Sequence, residues 1–183
     1  MPDFSIRLQP ATMTYFNLFP SLPDPARCWI YVAPRRLTEA EQATLLETLQ
    51  TFFAGWASHG RPVQGAAAFL DDHFLAVAGA IAGGEISGCG IDASVHATEE
   101  AAGRLGVAWS SPLLVLYRDA DGAVRSLPRS AFRKLVDDGT VTAETPVFDV
   151  SLTTLGQLRS GAFEKPAGAS WHARVFRIPE PAA

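Results

Sequence analysis

The chain has 183 residues, 48% hydrophobic and 19% charged, with a formal net charge of −4. A chain of this size buries roughly 70% of its unfolded surface and builds one hydrophobic core, which excludes intrinsic disorder. The acidic balance argues against nucleic acid or an anionic membrane as partner, and two cysteines, Cys28 and Cys89, make no disulfide framework.

Residues 1–27 read as an irregular arm, because Pro2, Pro10, Pro20, Pro23 and Pro25 interrupt regular structure. Met13 is an alternative start, which would leave the residues before it dispensable. A single domain is expected over 28–178 and a short tail over 179–183. Cys28-Trp29-Ile30-Tyr31-Val32 is a compact β-type run. A helix then opens on a Thr38/Glu41 capping box, carries Leu45, Leu49, Phe52 and Trp56 on one face, and ends at Gly60. Two strands follow near 63–70 and 73–79, with Asp71-Asp72 at the turn. A glycine-rich loop covers 83–90, and a second helix starts at Asp92 as N-cap and stops at Gly106. Leu113–Tyr117 and Ala123–Leu127 form a hairpin about Asp119-Ala120-Asp121-Gly122. Helices are expected over 129–138 and 152–159, with a short strand at Val147-Phe148 between them. The aromatic tail from Phe163 to Ile178 should pack on the body, since exposing it would be costly. Hairpins with separated helices indicate an α+β fold: a mainly antiparallel sheet with about three to four helices packed on it.

No run approaches the roughly 20 apolar residues that span a bilayer, and no secretory signal is evident, so the cytoplasm is the expected location. The phosphate-binding Gly-Lys-Ser/Thr sequence is absent, as are His-Glu-x-x-His, Cys-x-x-Cys and Gly-x-Ser-x-Gly. Gly88-Cys89-Gly90-Ile91-Asp92-Ala93 fits a relaxed dinucleotide pattern. Gly83–Ser87 nevertheless separates it from the preceding strand, and Asp92 would set a carboxylate where a pyrophosphate belongs. No cofactor and no metal site are expected.

The Gly83–Ser94 stretch concentrates special residues. Cys89 beside a helix N-terminus would favour its thiolate, and the free amides of Gly90–Ala93 would hold an anion. His59 or His172 is the candidate base, with Asp92 to orient it. Gly88, Gly90, Ser94, Arg36, Arg174 and Trp171 complete the candidate ligand-binding set. Trp29, Tyr31 and Trp56 read first as core, with pocket lining as the alternative. Three segments, Gly88–Ser94, the His59 end of the first helix and Ser170–Arg174, would converge on one cleft.

Trp29-Ile30-Tyr31, Leu37-Thr38-x-x-Glu41, Trp56-x-x-His59-Gly60, His73-Phe74, Gly88-Cys89-x-Ile91-Asp92-x-Ser94-Val95 and Ser170-Trp171-His172-x-Arg174 together resemble an uncharacterised bacterial family whose members often carry the automatic label "ABC transporter ATPase". The resemblance runs from about Met13 to Arg174. The chain departs from it at Gly90, at Asp149 and at Ala78-Gly79, where the family has Ser, Asn and acidic residues. The resemblance implies an address for a site and no reaction, and without a P-loop the label's activity has no chemical basis here. The expected function is binding of a small, anionic ligand, with chemistry at Cys89; the alternative is a non-catalytic interaction or scaffolding protein. Oligomeric state is not legible.

Overall fold

The computed structural model describes residues 15–179. The proposed start at Met13, with residues 1–14 of the arm and residues 180–183 of the tail, lies outside that range. From Tyr15 to Ala26 the chain forms a 3₁₀ turn (Tyr15–Asn17) and further turns. The prolines keep this segment from extending a strand or helix. It still docks, with Leu22 and Ala26 buried, because Arg159 gathers the carbonyls of Leu18, Phe19 and Leu22 in one guanidinium fork.

The fold is α+β, with antiparallel sheets. The first sheet has the order β1-β5-β4, where β1 is Arg27–Val32, β4 is Gln64–Asp71 and β5 is Phe74–Ala80. A two-stranded ribbon joins β2 (Ala57–Ser58) to β3 (Arg61–Pro62). The second sheet has the order β7-β6-β8-β9: β6 is Val115–Arg118, β7 Val124–Leu127, β8 Pro146–Phe148 and β9 Glu164–Pro166. The helices are α1 (Glu39–Gly55), α2 (Gly88–Gly103), α3 (Arg129–Asp137), α4 (Leu155–Arg159) and α5 (Trp171–Phe176).

These elements make four layers. β5 is central and apolar throughout, so both of its faces are covered. Phe74, Ala76 and Ala78 meet Leu116, Phe148 and Phe163 between the two sheets. Leu75 and Val77 turn the other way, onto Leu49 of α1. Behind the second sheet, Val115, Tyr117 and Val147 pack on Phe132 of α3 and Phe176 of α5. Gly79 lets α1 approach closely: a Cβ there would lie 2.5 Å from Trp56 Cη2.

Two expected boundaries are corrected. α1 opens on the Thr38/Glu41 capping box but ends at Gly55, not Gly60. His59 (φ 50°) and Gly60 (φ 74°) instead form the left-handed turn of the β2–β3 ribbon, which returns the chain antiparallel. α2 begins four residues before Asp92, because the Ser87 hydroxyl accepts the Gly90 N–H at 3.2 Å and is the N-cap. Asp92 therefore lies inside the helix and caps nothing. Gly88–Ala93 opens α2 after an antiparallel strand, which is not the parallel crossover a dinucleotide fold requires.

Candidate functional site

The Gly88–Ser94 turn is built against the β2–β3 ribbon. Ser58 Oγ lies 2.8 Å from Ser87 Oγ and accepts the Ser87 N–H at 2.9 Å. Trp56 Nε1 donates to the Gly90 carbonyl at 2.9 Å. A Cβ on Gly90 would meet Ile86 Cγ2 at 2.8 Å and Ser58 Cβ at 3.1 Å, so this glycine serves helix-to-ribbon packing and leaves no guest space on that side. The amides expected to await an anion are engaged: Gly90 N–H goes to Ser87 Oγ, and Ile91 N–H to the Ser87 carbonyl at 2.9 Å. Ser94 is fully buried, its hydroxyl donating to the Ile91 carbonyl at 2.8 Å. Gly88, Cys89 and Asp92 are exposed.

His59 reaches the neighbourhood of this turn through Ser58 and is exposed. His172 does not join it. Its ring is buried behind the second sheet, stacked on Trp171 with 3.7 Å between centroids and in ring contact with Phe132 and Phe176. Its Nδ1 lies 2.9 Å from Ser170 Oγ, and its Nε2 is buried with no partner among the described residues. Burial pulls its pKa down to about 4, so it is neutral near pH 7. Trp171 and Arg174 sit on the same short α5, which packs behind the second sheet, whereas α2 packs on the first. The three-segment cleft is thus not assembled, because α5 is recruited by the aromatic core of the other sheet. No imidazole hydrogen-bonds Cys89 among the described residues, and no group of three or more His, Cys, Asp or Glu there could hold a metal ion.

The two thiols differ sharply. Cys28 is buried, and burial pushes its pKa up to about 12, whereas Cys89 is exposed. N-ethylmaleimide should therefore modify the native protein once, at Cys89, and reach Cys28 only in denaturant; peptide mapping reads this directly. Rapid modification of Cys28 in the native state would mean that β1 detaches from its sheet.

Arg36 borders a cleft of about 420 Å³ that also contains Arg118, Arg125 and His73. Its guanidiniums are already engaged. Arg36 pairs with Asp72, Arg125 with Asp119 at 2.6 Å, and Arg118 with both Glu164 (2.5 Å) and Asp71 (3.1 Å). Three cations face four carboxylates, so the cleft offers an anion no net attraction. Arg118 instead links the β4 end of one sheet to β9 of the other, over the Phe148 ring at 5.0 Å.

A different cleft, of about 410 Å³, runs along β1. Trp29, Tyr31 and Trp109 wall it, α2 adds Val95 and Glu99, and the 110–112 and 150–152 segments form its rims. Tyr31 and Trp109 rings lie 5.4 Å apart. The Tyr31 hydroxyl is buried without a hydrogen-bond partner among the described residues. Its near neighbour is the Thr98 hydroxyl, which donates to the Ser94 carbonyl at 2.8 Å and can still accept. Burial raises the Tyr31 pKa, the Thr98 hydroxyl lowers it in part, and the Glu99 charge adds to the rise, so the phenol keeps its proton. Sequence reasoning weighed Trp29 and Tyr31 as pocket lining but missed Trp109, Val95 and Glu99. Alternation along β1 places Trp29 and Tyr31 on one face, but nothing local brings α2 and the 109–112 loop to that face.

No protein-family model, curated protein or solved structure matches this chain. Among the described residues no helix is long and apolar enough to cross a membrane.

Proposed function

We propose that the protein binds a small ligand in the cleft along β1. The observation that carries this reading is the cleft itself, an apolar concavity walled by the Trp29, Tyr31 and Trp109 rings with the Glu99 carboxylate beside them. Largely apolar concavity with a few convergent polar groups is the usual make-up of a small-molecule site. Glu99 at the wall disfavours an anion, so the ligand is neutral or cationic, unlike the anion expected from the glycine-rich turn.

The test is a fragment screen followed by backbone and indole NMR. Binding fragments should shift Tyr31, Val95 and the Trp109 indole and leave the Cys89 turn unmoved. Trp109→Leu, which removes one ring of the wall, should weaken the fragments about tenfold, near 1.4 kcal/mol, with the fold kept. Hits confined to other surfaces, or affinities indifferent to Trp109→Leu, would refute the reading. Small molecules released on denaturing the natively purified protein, identified by mass spectrometry, would supply the natural ligand.

A further inference from the structure

β1 is an edge strand of its sheet, and both ends of its free edge are closed by other parts of the chain. At one end, Cys28 N–H donates to the Thr153 carbonyl at 3.0 Å and Leu155 N–H to the Ala26 carbonyl at 2.9 Å. At the other, Ser110 N–H donates to the Val32 carbonyl at 2.8 Å. In an antiparallel strand the backbone groups of every second residue point to the same edge. Ala26, Cys28 and Val32 thus mark the outward set, and Ile30 must belong to it. The Ile30 N–H and C=O face outward with no partner among the described residues, and Ile30 lines the β1 cleft. The gap holds four outward groups: Cys28 C=O, Ile30 N–H, Ile30 C=O and Val32 N–H.

We infer that this gap in the β1 edge takes a short extended peptide, bound antiparallel to β1 with its central residue paired to Ile30. The inference rests on the small-ligand reading of the same cleft and names its ligand class. The four steps from Cys28 to Val32 span about 13 Å, so the Thr153 and Ser110 closures limit the guest to about three or four residues. That length is too short for edge-to-edge pairing with a second copy of the chain, which would need a continuous free edge. Directly opposed residues of an antiparallel pair share a face. The guest residue opposite Ile30 therefore points toward the inter-sheet side, and its two neighbours point to the side of Trp29 and Tyr31, where Trp109 and Glu99 lie. Those neighbours should be an apolar side chain, to cover the indole and phenol rings, and a basic one, to meet the Glu99 carboxylate. Main-chain hydrogen bonds would supply affinity, and the two flanking side chains specificity.

The probe is N-acetyl-Leu-Ala-Lys-amide, titrated into the full chain by tryptophan fluorescence and by amide NMR. It should move the Ile30 amide resonance and the Trp109 indole together. Methylating the central alanine nitrogen removes the donor to the Ile30 carbonyl and should weaken binding at least tenfold. Replacing the probe lysine by glutamate should weaken it several-fold, and the Glu99→Gln variant, altered at an exposed site, should erase that preference. Equal binding of the N-methylated peptide, an unmoved Ile30 amide or no binding at millimolar probe would overturn the peptide assignment. If cleft-binding fragments still shift Tyr31 and Trp109 in that case, the small-ligand reading survives and only its class is wrong; if neither peptides nor fragments bind there, both fail.

Discussion

Phe74→Ala should lower the unfolding free energy by about 3–5 kcal/mol. Phe74 is fully buried at the start of the central strand β5, 4.6 Å from the Phe148 ring and 5.0 Å from Phe163, measured between centroids. It is the ring by which the first sheet grips the second. Ala76 and Ala78 continue its face and are too small to move into the space left behind. The loss therefore combines the transfer term for the ring with an unfilled cavity. Against a total stability of about 5–15 kcal/mol, such a variant is marginal at 37 °C. Urea unfolding monitored by circular dichroism measures it, with Leu113→Ser, at a position 79% exposed, as the neutral control. A loss under about 1 kcal/mol would mean that the two sheets do not share this core.

Acid should destabilise the protein through His172 before most carboxylates titrate. The imidazole is neutral in the fold, with its pKa drawn from 6.5 to about 4 by burial; Lys165 and Arg129 reinforce the shift and Asp149 opposes it. The unfolded chain takes up a proton near pH 6.5 that the folded chain refuses until about pH 4. Stability is therefore full above pH 6.5 and declines as pH falls toward 4. A shift of this size is worth about 3 kcal/mol at its limit. The ring lies directly beneath the part-exposed Trp171, so solvent screening reduces this to about 2 kcal/mol. His172→Phe keeps the aromatic stack, gives up the Ser170 contact and removes the unpartnered Nε2. It should stay within about 1 kcal/mol of the parent at pH 7.5 and show a flatter decline to pH 4.5. Carboxylates such as Glu41, held near 2 first by the Arg35 guanidinium, act in both proteins and cancel in the comparison. Parallel pH profiles for the two proteins would show that the imidazole is not kept neutral.

Local chemistry was legible where a signal closes within a few residues. The Thr38/Glu41 box opened α1, Asp119–Gly122 turned the β6–β7 hairpin, and Gly139 stopped α3 after Asp137. Each of these depends on hydrogen bonds or a left-handed residue inside one short window. The same kind of reasoning failed where two local solutions competed. Gly60 suits a helix end and a hairpin turn equally; the ribbon won because Ser58 then meets Ser87 at the start of α2. Asp92 and Ser87 are both competent N-caps; Ser87 won because starting the helix earlier lets Trp56 reach the Gly90 carbonyl.

The candidate site divides along the same line. Residue order along Cys28–Val32, with its alternation of faces, determined that Trp29 and Tyr31 lie side by side and that the β1 backbone alternates its donors and acceptors. Only the tertiary structure decided that β5 covers one edge of β1 while Thr153 and Ser110 close just the ends of the other, and that Trp109 and Glu99 stand over the gap. It also decided that His172 belongs to the Phe132 core and not beside Cys89. Alternation and capping are set by neighbours a few bonds away. Edges, clefts and unpaired groups are set by which distant segments fail to meet, and that is a property of the packed molecule alone.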